Sequence, residues 1–334
     1  MPEVAVVGAG VAGLAAAYEL ARAGRDVVVY EQFEVGHPYG SSHGRSRIFR
    51  LAYAEPEWVQ LAQEALAGWR RWEADTGEQL LDLQGLLEIV RELDESSAST
   101  LERLGVEWER LDREEVERRF PVRVPQGSFA VFQPEAGIIR ADRTLAALAR
   151  AVGVREGTQV ERLSELDADV VVCAAGSWAR ALLAAEGIDL PVRATRETVA
   201  YFRLGDPRPV PAVVSFKPDR HEHDIYALAD PTYGLKVGVQ HAGPEVEPGW
   251  VGEPDPELVA RTEEWAGEAY RLAEPRAVHA ETCLYTTTSD RRFVLERHGR
   301  IVVGSACSGH GFKFAPAIGS RLAELAVEGL SSGA

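Results

Sequence analysis

Val4-Ala5-Val6-Val7-Gly8-Ala9-Gly10-Val11-Ala12-Gly13 stands near the start of the chain. VAVV has the pattern of a short buried strand. The glycines at 8, 10 and 13 lead into LAAAYELARAG, a helical stretch that ends at Gly24. A second strand, Asp26 to Tyr30, finishes at Glu31. Strand, GxGxxG, helix, strand and acid in this order read as a dinucleotide-binding unit. Gly8 allows the tight turn, Gly10 lets a pyrophosphate approach the backbone, and Gly13 lets helix and strand pack closely. The helix start presents N–H groups and a positive dipole end to phosphates. Glu31 can accept hydrogen bonds from a ribose diol, and its charge repels a 2′-phosphate.

This unit alone does not separate FAD from NAD. Its position at the extreme N-terminus favours FAD, whose further contacts come from distant segments. Asp169 to Trp178 is such a segment, a buried strand running into a small-residue turn at Ala175-Gly176. Val160 is expected at the cofactor as well.

The 334 residues suit two lobes or one interrupted domain. Hydrophobic content of 46% with 26% charged residues fits a globular chain. A net charge of −16 argues against nucleic acid or an anionic membrane as partner. An anionic substrate then has to be held by locally placed Arg or Lys. Cys173, Cys283 and Cys307 are too few and too scattered for a disulfide framework or a zinc site, which fits a reducing cytoplasm. The apolar start follows acidic Glu3, lacks a basic leader and is broken by glycines, so it is not read as a signal peptide.

Along the chain, residues 57–75 read as an amphipathic helix, 93–119 as two short charged helices joined near Gly105, and 141–153 as a helix. Residues 197–242 alternate like an antiparallel sheet. Helices are expected at 254–273 and 316–330, with strands over 282–305. His221-Glu222-His223-Asp224 invites a metal reading, but nothing elsewhere completes a ligand set, and no metal is expected.

Several further stretches resemble one family. Gly40-Ser41-Ser42-His43-Gly44-Arg45-Ser46-Arg47-Ile48-Phe49-Arg50 is similar to the SxHHGDTRIIR stretch of monomeric sarcosine oxidase, N-methyltryptophan oxidase and related FAD-dependent amine oxidases. Gly234-Leu235-Lys236-Val237-Gly238 resembles the family's GLKxG strand, Cys283-Leu284-Tyr285-Thr286 its CxYT motif, and Ser308-Gly309-His310-Gly311-Phe312-Lys313-Phe314 its closing SGHGFKF. The resemblance implies an α/β fold: a glutathione-reductase-like, Rossmann-like FAD domain (1–79, 140–196 and 287–334) with a second α+β substrate domain on an antiparallel sheet (80–139 and 197–286). It implies oxidation of a secondary amine bearing a carboxylate to an imine, with O₂ as electron acceptor and hydrogen peroxide as product. Cys283 would carry the flavin covalently. Gly309, Gly311, Phe312 and Lys313 would flank its pyrimidine edge, with the glycines letting backbone N–H groups reach it. Lys236, facing inward, would promote reaction with O₂. Arg50 and Lys313 would clamp the substrate carboxylate. His43 and Arg47 would sit on the opposite flavin face, with Glu55 and Tyr285 at the substrate. The family precedent also implies a monomer.

Three departures bear on the substrate. Gln240 stands where the sarcosine enzyme has a histidine, and His241, one step on, is expected to point elsewhere. A double tyrosine becomes Tyr226-Ala227, expected to enlarge or reshape the pocket. The chain also lacks a hairpin between Val160 and Val170. A bulkier N-alkyl or cyclic amino acid is therefore as good a candidate as sarcosine. The rival readings are a dehydrogenase with a non-oxygen acceptor, a non-catalytic flavin-binding protein and, more distantly, an NAD-dependent dehydrogenase.

Overall fold

The computed structural model describes residues 2–215, 223–250 and 252–331. One sheet has six strands in the order Val294–His298, Ile301–Ser305, Val170–Cys173, Val4–Val7, Val27–Tyr30 and Val154–Arg155. All its pairs are parallel except the outermost, Val294–His298 with Ile301–Ser305. The valine runs of its centre show no alternation because both faces are covered: Val4 and Val6 pack against the helices, Ala5 and Val171 against the other side. Helix Val11–Arg22 lies on one face, and helix Ala315–Ser331 crosses it at close range. A Cβ on Gly319 would fall 2.7 Å from the backbone of Ala15, so small residues set this crossing.

The second sheet has nine strands, the long pair Val192–Phe202 and His279–Thr288 among them. Leu235, Val237, Ala227 and Trp265 build a core on one face of it, with helix Pro256–Ala269. Alternation then turns Lys236 and Gly238 to the other face. The register extends that face strand by strand: Glu88, Val214, Tyr226, Gly238, Val199 and Glu281 lie in one row. A small third sheet, Ser46–Phe49, Gly137–Arg140 and Leu81–Asp82, links the two large ones.

Some elements differ from expectation. Between helices Glu95–Arg103 and Arg113–Arg119 lies a strand, Glu109–Leu111, at the sheet edge. Its charges face solvent, which suits an edge and hides the strand from a composition-based reading. The helix expected to reach 273 stops at Ala269, where Tyr270 turns extended and bridges to Val122. Strand Val192–Phe202 runs unbroken across the boundary drawn at 196/197. No helix among the described residues is long and apolar enough to cross a membrane.

Candidate active site

A cavity of about 510 Å³ runs from the Gly8–Ala12 turn to the inward face of the nine-stranded sheet. Its first end is made mostly by backbone. Gly8 has φ +101°, and a Cβ there would sit 2.6 Å from the carbonyl oxygen of Ala174. Gly13 is outside the cavity wall; its Cβ would lie 1.9 Å from the Gly8 oxygen, so it sets the strand–helix contact. Helix Val11–Arg22 has no acid in its first turn and no cap from its own N-cap residue; the Ser42 hydroxyl accepts the Val11 N–H at 3.1 Å, and the positive end of the helix faces the cavity. Glu31 is buried, and its carboxylate accepts from the N–H groups of Ala9 at 2.8 Å and Phe33 at 3.0 Å. Those bonds and His37 outweigh burial and hold it below its usual pKa. An ionised carboxylate has lone pairs left for a diol. Val160, Ala175 and Gly176 complete this end. The donors, the charge and the glycine cradle fit the ADP half of FAD.

The other end is made of side chains. Lys236 is 5% exposed. Burial, then Arg47, push its ammonium down to about 8, against the pull of Cys283, Glu281 and Asp230. Arg47 is fixed by the carbonyls of Ser41 and Ser46, each at 2.9 Å, and lies over the Phe312 ring. His43 is buried, its Nε2 has no hydrogen-bond partner, and burial and Arg47 push it down to about 4, so it is neutral. Orphaned Thr286 and Ser177 hydroxyls join it among the buried polar atoms that a bound group could satisfy.

Cys283 and Tyr285 share the inward face of strand His279–Thr288 and both line the cavity. Burial raises the Cys283 thiol to about 11, with Lys236 and Arg47 pulling the other way, so it is protonated at neutral pH. Cys173 is a sealed core thiol, raised by burial to about 12. Cys307 lines the cavity, and its Sγ accepts the Thr286 N–H at 3.4 Å.

The closing turn is held in place from behind. The indole N–H of Trp69 donates to the Lys313 carbonyl at 2.8 Å, and Gly68 gives Pro316 room. Gly309, Gly311, Phe312 and Lys313 all reach the cavity. Gly311 does not offer its N–H, because that group donates to the Cys307 carbonyl at 2.7 Å. Its glycine is required because a Cβ would overlap the Ala306 oxygen, at 1.6 Å. Lys313 is 7% exposed, donates to the His310 carbonyl at 2.9 Å, and is held well below the usual lysine value by burial and by Arg50.

Several expected placements change. Arg50 lines the cavity but is ion-paired with Glu88 at 2.9 Å and lies 4.5 Å from the Tyr53 ring centre. Glu55 is exposed at the start of helix Pro56–Thr76, outside the cavity wall, because Pro56 begins the helix there. Ala227 is buried on the far face of its strand, so it cannot enlarge the pocket; Tyr226 alone faces inward, its hydroxyl lying over Gly238. Gln240 reaches the cavity, whereas His241, at φ +54° just past the strand, packs edge-on against Tyr285 with ring centres 5.3 Å apart. His221 and Glu222 lie outside the described residues, and no metal-binding group occurs among those described. Glu88 and the Glu281–Tyr201 hydrogen bond beside Lys236 were not anticipated.

A dinucleotide turn feeding a deep cavity with buried cations at its far end defines a cofactor-dependent redox enzyme. Residues 3–325 match the family described as FAD dependent oxidoreductase (DAO), and the chain belongs to it. It is 32% identical to the peroxisomal sarcosine oxidase of Homo sapiens, over 97% of this chain and 91% of that protein. It is 30% identical to monomeric sarcosine oxidase of a Bacillus strain, over 98% and 92%. N-methyl-L-tryptophan oxidase of Yersinia pestis is 28% identical over 95% and 92%. A solved structure of NikD, described as an unusual amino acid oxidase, superposes with TM-score 0.86 at 27% identity, covering 98% of this chain and 94% of that one.

Proposed function

We propose that the protein oxidises secondary amines that carry a carboxylate, N-alkyl or cyclic amino acids of the sarcosine type, releasing an imine that hydrolyses and reducing O₂ to hydrogen peroxide. FAD bound in the cavity supplies the two-electron acceptor. The reading is carried by one observation: Lys236, Cys283 and Tyr285 project from one face of the sheet into the cavity that begins at the Gly8–Gly10 turn. The substrate relatives named above support the amine and its acid group.

The chain's residues divide the work. Arg50 and Lys313 anchor the substrate carboxylate, a fixed planar fork beside a cation that gains its proton when an anion arrives. Tyr226 and Tyr285 wall the pocket and exclude water. Lys236 supplies positive charge where O₂ is reduced, with Arg47 and neutral His43 beside it. The Cys283 thiol is the covalent tether for the flavin. The same reading takes the protein as a cytoplasmic monomer.

The test is an anaerobic screen of purified yellow protein against N-methyl, cyclic and glycated amino acids. Bleaching by amino acids with a free carboxylate, followed by recovery of colour and peroxide on admitting air, is the expected result. A protein that stays yellow with all of them is not this oxidase. Bleaching without recovery in air favours a dehydrogenase with another acceptor.

A further inference from the structure

Arg50 is the fork expected to take a ligand carboxylate, yet it already holds one, Glu88 Oε1 at 2.9 Å. Glu88 lies in the register row of Val214 and Tyr226, both of which line the cavity, so it stands on the cavity side of the sheet. We propose that Glu88 is an internal stand-in for the substrate's carboxylate, displaced from Arg50 when substrate binds and taking up a proton as it lets go. The proposal rests on reading Arg50 as the carboxylate anchor.

The charges around the pair favour the exchange. Were Glu88 to stay ionised, it would lie beside a second carboxylate in a largely buried site after losing its cation, and such pairs do not readily both keep their charge. Burial already raises its carboxyl, and Arg50 and Gln133 are what hold it down. Among the described residues around the pair, only one offers a replacement cation. Tyr53, from the segment after Ser46–Phe49, and Gln133, from Phe129–Gln133, are neutral. His310, from the closing turn, is pushed down to about 3 by burial and by Lys313. Lys313 itself is the second candidate to take up a proton, so the test has to separate it from Glu88. For substrate class, only a free acid can replace Glu88 on Arg50. Esters and amides of the same amino acids are excluded.

The measurement is a titration of the flavin-loaded enzyme with propionate, which has no amine to oxidise. Binding is followed by the flavin absorbance change and by calorimetry in buffers of different ionisation enthalpy. Wild type is expected to take up about one proton more than E88Q, and its affinity to fall about tenfold per pH unit over the window in which Glu88 is ionised free and protonated bound. E88Q is expected to bind about tenfold more tightly at the alkaline end, with a flatter pH profile. In wild type, a protonated-carboxyl C=O stretch is expected in the infrared difference spectrum on binding, and this check needs no variant. Equal proton uptake in wild type and E88Q, or no such band, overturns the exchange. Unchanged propionate affinity in R50M removes Arg50 from the site and takes the exchange with it, whereas loss of affinity in R50M with equal uptake in E88Q overturns the exchange alone.

Discussion

The two ends of the cavity are built on different principles. At the Gly8–Gly13 end the working groups are mostly backbone: a glycine at φ +101°, a helix start with no acid in its first turn, and one acid bonded to two N–H groups. At the sheet end they are side chains from separate strands, loops and a turn, and their charges are set first by burial and then by one another. A backbone site is specified within a stretch of about thirty residues. A side-chain site depends on which distant carboxylate happens to face which cation. On the proposed reading the first end fixes where a dinucleotide lies, and the second fixes what is done there.

The largest expected effect breaks the backbone end. Gly13→Ala would place a methyl group 1.9 Å from the Gly8 oxygen, a clash that neither backbone can relieve cheaply. It is expected to cost at least about 3 kcal/mol and to strip the flavin, read as a lowered Tm and loss of yellow colour on purification. Next, Lys236→Met should slow reoxidation of the reduced enzyme by O₂ roughly 100-fold while anaerobic bleaching by substrate persists. Unchanged O₂ consumption would show that the sheet end does not act through this charge. A milder perturbation is pH. Lys236 is charged below about 8 and neutral above it, so the reoxidation rate is expected to fall as pH rises through about 8, measured by stopped-flow mixing with aerated buffer. The smallest effect belongs to Glu55→Ala: an exposed position outside the cavity should leave KM unchanged and stability within about 0.5 kcal/mol.

The same contrast explains what could be read in advance. The glycine turn was legible because its chemistry is local, and Gly13 was read for the packing role it has. Lys236 and Cys283 were singled out only through their motifs, since a lysine in a strand and a lone cysteine usually mean nothing. Glu88 was invisible: Leu86–Val90 reads as an apolar strand with one stray acid, and its partner lies 38 positions away. That Ala227 itself does not open the pocket could have been read from the sequence. Tyr226 and Ala227 are adjacent in a strand, so they had to point to opposite faces. Glu55 failed for a local reason, because Pro56 begins the helix and leaves Glu55 exposed at its start. Gly311 reaches the cavity, but its amide is spent on Cys307 within the turn and is not on offer.

The most direct measurement is mass mapping of proteolytic peptides from the purified yellow protein. The peptide spanning Cys283 is expected to carry the added mass of FAD, with colour remaining in the acid-precipitated protein. A free thiol at Cys283 with all colour released to the supernatant, or flavin attached at Cys307 instead, would contradict the placement of the ring against the sheet end.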